Sequence, residues 1–187
     1  ANYNKVDSVE KTQIIDGTAR FVDDHTVAVD TAEGEKLFKA DRIFINTGAT
    51  PFVPPVEGLT IGGAIHTSET IMNLEEYPES LVIIGSGFIG LEFAATYAQF
   101  GTKVTVIDVT EAFLPREDED VAQAVKEQLE ALGVTFNLGV QLKAVHQEGG
   151  KAVVEATTGE GAPVAFSADA VLVATGRRAN VQGLDLD

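Results

Sequence analysis

The segment Gly85-Ser86-Gly87-Phe88-Ile89-Gly90 concentrates the residue types and spacing most able to do chemistry. A glycine at 85 permits a tight strand-to-helix turn, one at 87 lets a pyrophosphate approach the backbone, and one at 90 allows a helix to pack close on a strand. Phosphates held there would meet unpaired N–H groups and the positive end of a helix dipole. Asp108 follows Gly85 by 23 residues, where a carboxylate can accept hydrogen bonds from an adenosine ribose. Residues Val109 to Leu114 supply no arginine or lysine, and Glu111 adds negative charge. Arg116, eight positions past Asp108, is expected to serve the start of the next helix rather than a phosphate. Together these residues predict a site for a nicotinamide dinucleotide, NADH before NADPH, because a carboxylate repels a 2′-phosphate.

The elements around the turn suit that chemistry. Leu81 to Gly85 is a continuous apolar run, as expected of a parallel strand buried on both faces. Phe88 to Phe100 has helical spacing and ends at Gly101, and Lys103 to Asp108 repeats the buried-strand signature. These segments make one βαβ unit. A second helix is predicted from about Asp118 to Leu132, with acids in its first turn and Gly133 beyond its end. VTFNLG, VQLKAVHQ, KAVVEAT and ADAVLVATG then read as four more strands.

Upstream, TARFV, HTVAVD and EKLFKA read as a three-stranded antiparallel meander feeding one further buried strand in DRIFIN. Residues 50 to 80, rich in proline and glycine, read as a crossing connection. Phe38 to Gly48 (FKADRIFINTG) matches Phe166 to Gly176 (FSADAVLVATG) at an offset of 128 residues, and each copy follows a meander. The chain therefore holds two versions of one unit. The first lacks a glycine turn, so the sequence reads as a piece excised from something longer.

Composition narrows the function classes. A formal net charge of −16 disfavours nucleic acid and anionic lipid as partners. No apolar run reaches membrane-spanning length and the amino end lacks a secretory pattern, so cytoplasmic residence is the expectation. Zero cysteines exclude a thiolate or a disulfide within these residues. His25, His66 and His146 lack ligand spacing, so no metal site is expected and surface or turn positions are predicted for all three.

The ordered motifs INTGATP, GSGFIGLEFA, KVTVID, LPREDED and VATGRRAN resemble the pyridine nucleotide-disulfide oxidoreductases, the family of lipoamide dehydrogenase, glutathione reductase and mercuric reductase. The resemblance implies an α/β fold: a Rossmann-like NAD-binding domain, with a parallel sheet and an antiparallel meander, flanked by β-rich remnants of a split FAD-binding domain. It implies residues 1–50 as the end of an FAD-binding segment, 51–176 as the NAD(P)-binding domain, and 177–187 as the return to the FAD-binding domain. It also implies Gly85, Ser86, Gly87, Phe88, Ile89 and Gly90 at the pyrophosphate, Asp108 at the ribose, Val140 at the adenine, and Gly176 with Arg177 near the nicotinamide.

By the same resemblance, Phe88 stands where the family often has a tyrosine that shields the flavin. Glu92 matches a glutamate near nicotinamide and flavin, and Gly17, Thr47 and Gly48 match positions that touch FAD. Ala179 departs from the family pattern, which has proline there. The implied activity is hydride transfer from NAD(P)H to FAD and on to a disulfide or related acceptor, in a homodimeric parent. The residues present here are expected to be inert alone. A dinucleotide-sensing regulatory module is the rival reading, and the flavin-type meander favours the enzyme.

Overall fold

A computed structural model describes residues 12–186, which divide into two units, residues 12–49 with 179–186 and residues 50–178. The smaller unit is built on β1 (Thr18–Asp23), β2 (Thr26–Thr31) and β3 (Gly34–Lys39), an antiparallel meander with a register shift between Phe21 and Asp23. Ala28 and Val29 of β2 are buried in it. The further buried strand expected in DRIFIN does not form. No described strand pairs with residues 41–46, and Phe44 is 86% exposed. An apolar run becomes a buried strand only when neighbours take its backbone groups.

β4 (Ala49–Pro51) and β13 (Arg177–Ala179) pair where the chain passes from one unit to the other, and the larger unit holds two further sheets. The central sheet is formed by β5 (Ile65–Thr67), β6 (Ser80–Ile84), β7 (Lys103–Ile107), β8 (Thr135–Asn137) and β12 (Ala170–Val173). Its order is β5-β12-β6-β7-β8 and every pairing is parallel. Helix α1 (Phe88–Gln99) joins β6 to β7, and α2 (Glu119–Ala131) joins β7 to β8. An antiparallel meander of β9 (Gln141–Glu148), β10 (Lys151–Thr157) and β11 (Pro163–Ala168) completes the unit.

Side-chain alternation along the strands explains the layering. Val82, Ile84, Val171 and Val173 face the meander and pack with Val145 and Val154. Leu81, Ile83, Val104, Val106 and Leu172 face the helices and pack with Leu91, Ala94 and Leu129. Strands buried on both faces therefore read as continuous apolar runs. The helices stop where expected: Phe100 and Leu132 are the caps, and Gly101 and Gly133 follow at φ +91° and +89°.

Several strands depart from the sequence expectation. β5 lies inside the supposed connection 50–80, β11 precedes the strand in ADAVLVATG and β13 follows it, making six strands after α2 rather than four. His25 sits in an exposed turn and His146 is exposed on β9, whereas His66 lies half-buried on β5, where burial lowers its pKa. Among the described residues, no helix is long and apolar enough to cross a membrane.

Candidate functional site

The chain leaves β6 to build β7 and β8 on one side and returns as β12 on the other, so the strand order reverses between β6 and β12. Open parallel sheets bind ligands beyond the carboxyl ends of their strands at such a point. A cavity of about 600 Å³ lies there, walled by Gly85, Gly87 and Phe88, by Asp108 after β7, and by Thr175 and Gly176 after β12.

The three glycines do different work. Gly85 has φ +110°, and a Cβ there would lie 2.5 Å from the Ala174 carbonyl oxygen. Both facts exclude a side chain. A Cβ on Gly90 would collide with the Gly85 carbonyl oxygen and stand 3.3 Å from an Ile83 methyl, which seats α1 on β6. Gly87 is the N-cap of α1 with an ordinary φ of −75°, and a Cβ there would meet nothing within 4 Å. Neither turn nor packing requires a glycine at 87; its position on the cavity wall suits a ligand that must touch the backbone.

Helix α1 has no acidic residue in its first turn and no side-chain cap. Its positive end is thus left for an anion. In α2, by contrast, Glu119 and Asp120 occupy the first turn.

Asp108 faces this helix end. Its Oδ2 accepts hydrogen bonds from Ser86 N–H at 2.6 Å and Ser86 Oγ at 2.8 Å, and its Oδ1 accepts Thr110 N–H at 2.8 Å. Burial acts to raise its pKa, but the bonds donated by Ser86 and Thr110 outweigh it and hold the carboxyl below its ordinary value. Asp108 is therefore ionised at neutral pH. Its backbone is fixed as well: Val140 N donates to the Asp108 carbonyl at 2.9 Å, and Val140 is buried beneath the cavity.

The structure brings most of the expected residues together. Gly85, Gly87, Phe88, Ile89, Asp108, Val140, Gly176 and Arg177 line the cavity. Ser86 lies just behind it in an adjoining pocket, and Gly90 is buried in the first turn of α1. Phe88 is 65% exposed at the cleft. Arg177 also pairs with Glu69 at 3.3 Å. Glu92 lies on an exposed face of α1, outside the residues lining the cavity.

Gly17, Thr47 and Gly48 belong to the smaller unit. A Cβ on Gly17 would lie 2.5 Å from the Asp30 carbonyl oxygen, so contact with β2 already accounts for that glycine. Thr47 Oγ1 donates to the Asn180 carbonyl at 2.6 Å, and Asn180 N donates to the Gly48 carbonyl at 3.0 Å. Asn180 was not among the expected site residues.

Arg116 requires a correction. The chain turns through Leu114-Pro115-Arg116-Glu117, closed by Glu117 N donating to the Leu114 carbonyl at 3.0 Å. Leu114 takes φ +45° with its side chain packed against the helix-side core. This turn sets Arg116 on the wall of the cavity and of the adjoining pocket, while α2 starts independently behind Asp118. Pro115 was the available signal, since proline favours the second position of a turn.

Known proteins place the chain in a family. The pyridine nucleotide-disulphide oxidoreductase family pattern matches residues 1–187. The chain is 36% identical over 177 residues to the probable pyridine nucleotide-disulfide oxidoreductase RclA of Escherichia coli, covering 95% of this chain and 39% of that protein. It is 34% identical over 175 residues to a dihydrolipoyl dehydrogenase of Bacillus subtilis, covering 94% of this chain and 37% of that one. The solved structure of the HOCl-induced flavoprotein disulfide reductase RclA from Escherichia coli superposes with a TM-score of 0.81 at 33% identity, over 98% of this chain and 40% of that one. The chain thus spans about two-fifths of the length of these relatives. Matched from end to end by the family pattern, this chain belongs to the pyridine nucleotide-disulphide oxidoreductase family.

Proposed function

We propose that residues 50–178 bind a nicotinamide dinucleotide and present it to a flavin within a longer flavoprotein, in which the hydride passes on to a disulfide or related acceptor. The observation that carries this reading is Gly87, a cavity-lining N-cap for which neither turn nor packing requires a glycine, opposite an ionised Asp108. The bound dinucleotide would supply the hydride. The residues of this chain hold and orient it, with the pyrophosphate on the open end of α1 and the ribose at Asp108. Family membership with flavoprotein reductases favours this reading over a sensor module. FAD, a homodimeric assembly and a role for Glu92 at the nicotinamide belong to the same reading of the longer protein. The chain has no cysteine, so a dithiol step is carried elsewhere.

NADH is the preferred form in this reading. A 2′-phosphate facing the Asp108 carboxylate should cost about 1.4 kcal/mol, tenfold in affinity. Arg116 on the same wall keeps the discrimination finite. Titration of the purified chain with NADH and NADPH should saturate with both and give the tighter constant for NADH. Gly87→Val should abolish saturation without lowering the melting temperature, because its side chain enters open space. Unimpaired binding by Gly87→Val would sink the reading.

A further inference from the structure

A carboxylate reads a ribose only if its free lone pairs face the ligand, and Asp108 is turned by its neighbours. Ser86 is 5% exposed and spends both its N–H and its hydroxyl on one oxygen, Oδ2, at 2.6 and 2.8 Å. Thr110 N–H takes one side of Oδ1. The Ser86 donors on Oδ2 and Thr110 on the other side fix rotation about Cβ–Cγ, while two oxygens offer about four acceptor sites and so keep capacity to spare. Ser86 lines the adjoining pocket with Asp108 and Arg116 but not the main cavity, so it acts on the carboxylate from behind. The turn itself does not need a serine, since Gly85 supplies the positive φ.

We propose that Ser86 is a positioning residue that sets which nicotinamide dinucleotide the cleft accepts, by holding the Asp108 carboxylate in its ribose-reading orientation. The proposal rests on the reading of this cleft as a dinucleotide site. The backbone N–H of residue 86 persists in any variant, so the hydroxyl is the adjustable part. Removing it frees the carboxylate to rotate, which weakens the oriented bond to a 2′-hydroxyl. A 2′-phosphate makes no such bond and loses little.

The test is a set of NADH and NADPH titrations of the full chain, with thermal melts as a folding control. Ser86→Ala should raise the NADH dissociation constant about fivefold, one hydrogen bond's typical net contribution. The NADPH constant should move less than twofold, so the preference narrows. Ser86→Thr, which keeps the hydroxyl, should restore the preference. In an Asp108→Asn background, Ser86→Ala should leave the ratio of the two constants unchanged. Equal weakening of both dinucleotides by Ser86→Ala, or the same change of ratio with and without the Asp108 carboxylate, would overturn the proposal and assign Ser86 to the fold alone. Failure of the unaltered chain to bind either dinucleotide would instead overturn the reading of the cleft.

Discussion

Two aspartates grip two serines at opposite ends of β6. At its amino end, Asp169 Oδ2 accepts Ser80 N–H at 2.9 Å and Ser80 Oγ at 2.5 Å. Beyond its carboxyl end, Asp108 Oδ2 accepts the same pair of groups from Ser86 at 2.6 and 2.8 Å. The difference lies in the other oxygen. Oδ1 of Asp169 is taken by Lys151 Nζ at 2.9 Å, and Asp169 N–H returns a bond to Ser80 Oγ at 3.0 Å, so that clamp is closed on itself. Oδ1 of Asp108 has only Thr110 as its partner among the described residues, and Asp108 lines the cavity. One local device serves as a staple where its acceptors are filled and as a recognition group where an acceptor is left over.

Breaking the closed clamp should produce the largest change in stability. Asp169→Asn leaves Ser80 and Lys151 with a poorer acceptor and should lower unfolding free energy by about 1–2 kcal/mol, read by urea denaturation. Dinucleotide affinity should not move. The acid response carries a second signature. Ser80 first, and then Lys151, hold the Asp169 carboxyl down to about 2 from its ordinary 3.8. A depressed folded value means the contribution is complete above the ordinary value and is lost as pH falls toward about 2. Asp169→Asn should therefore flatten that part of the acid limb. A shift in coenzyme affinity with unchanged stability would reverse the assignment of the two clamps.

Breaking the open clamp should show the converse. Asp108→Asn should narrow the NADH preference to less than about threefold, a change of at least about 0.7 kcal/mol, while moving the melting temperature less than Asp169→Asn does. A stability loss as large as that of Asp169→Asn with an unchanged preference would make Asp108 a staple as well.

The sequence made the recognition end of β6 easier to read than the staple end. Gly85 and Gly90 stand out because the backbone geometry of a strand-turn-helix dictates their types, Gly87 and Asp108 because their spacing from them fits a dinucleotide site, and continuous apolar runs announce strands buried on both faces. Asp169 lies inside the FSAD repeat with nothing in its type or spacing to mark a clamp, since Ser80 is 89 positions away. Other misses share this dependence on distant partners. β5 is three residues long amid glycines and prolines, too short for any periodicity to register. Residues 41–46 carry the same pattern as β12 yet stay exposed, because flanking parallel strands bury β12 and none pairs with 41–46 among the described residues. Spacing along the chain cannot show the turn that brings Arg116 to the cavity wall.

The smallest expected effect separates the two parts of the closed clamp. Lys151 and Asp169 form an ion pair whose side chains are 52% and 31% exposed, and exposed pairs contribute little to stability. Lys151→Ala should therefore cost less than half of what Asp169→Asn costs in urea denaturation at neutral pH. The cost should shrink in high salt, because screening already weakens the pair in the unaltered chain. The Ser80 bonds survive in this variant and are the larger cause of the depressed Asp169 carboxyl. Its acid limb should consequently move only part of the way toward pH 3.8, while Ser80→Ala should move it further. If Lys151→Ala matched Asp169→Asn in cost and in acid response, the lysine would be the principal partner and the likeness between the two serine clamps would fail at its first term.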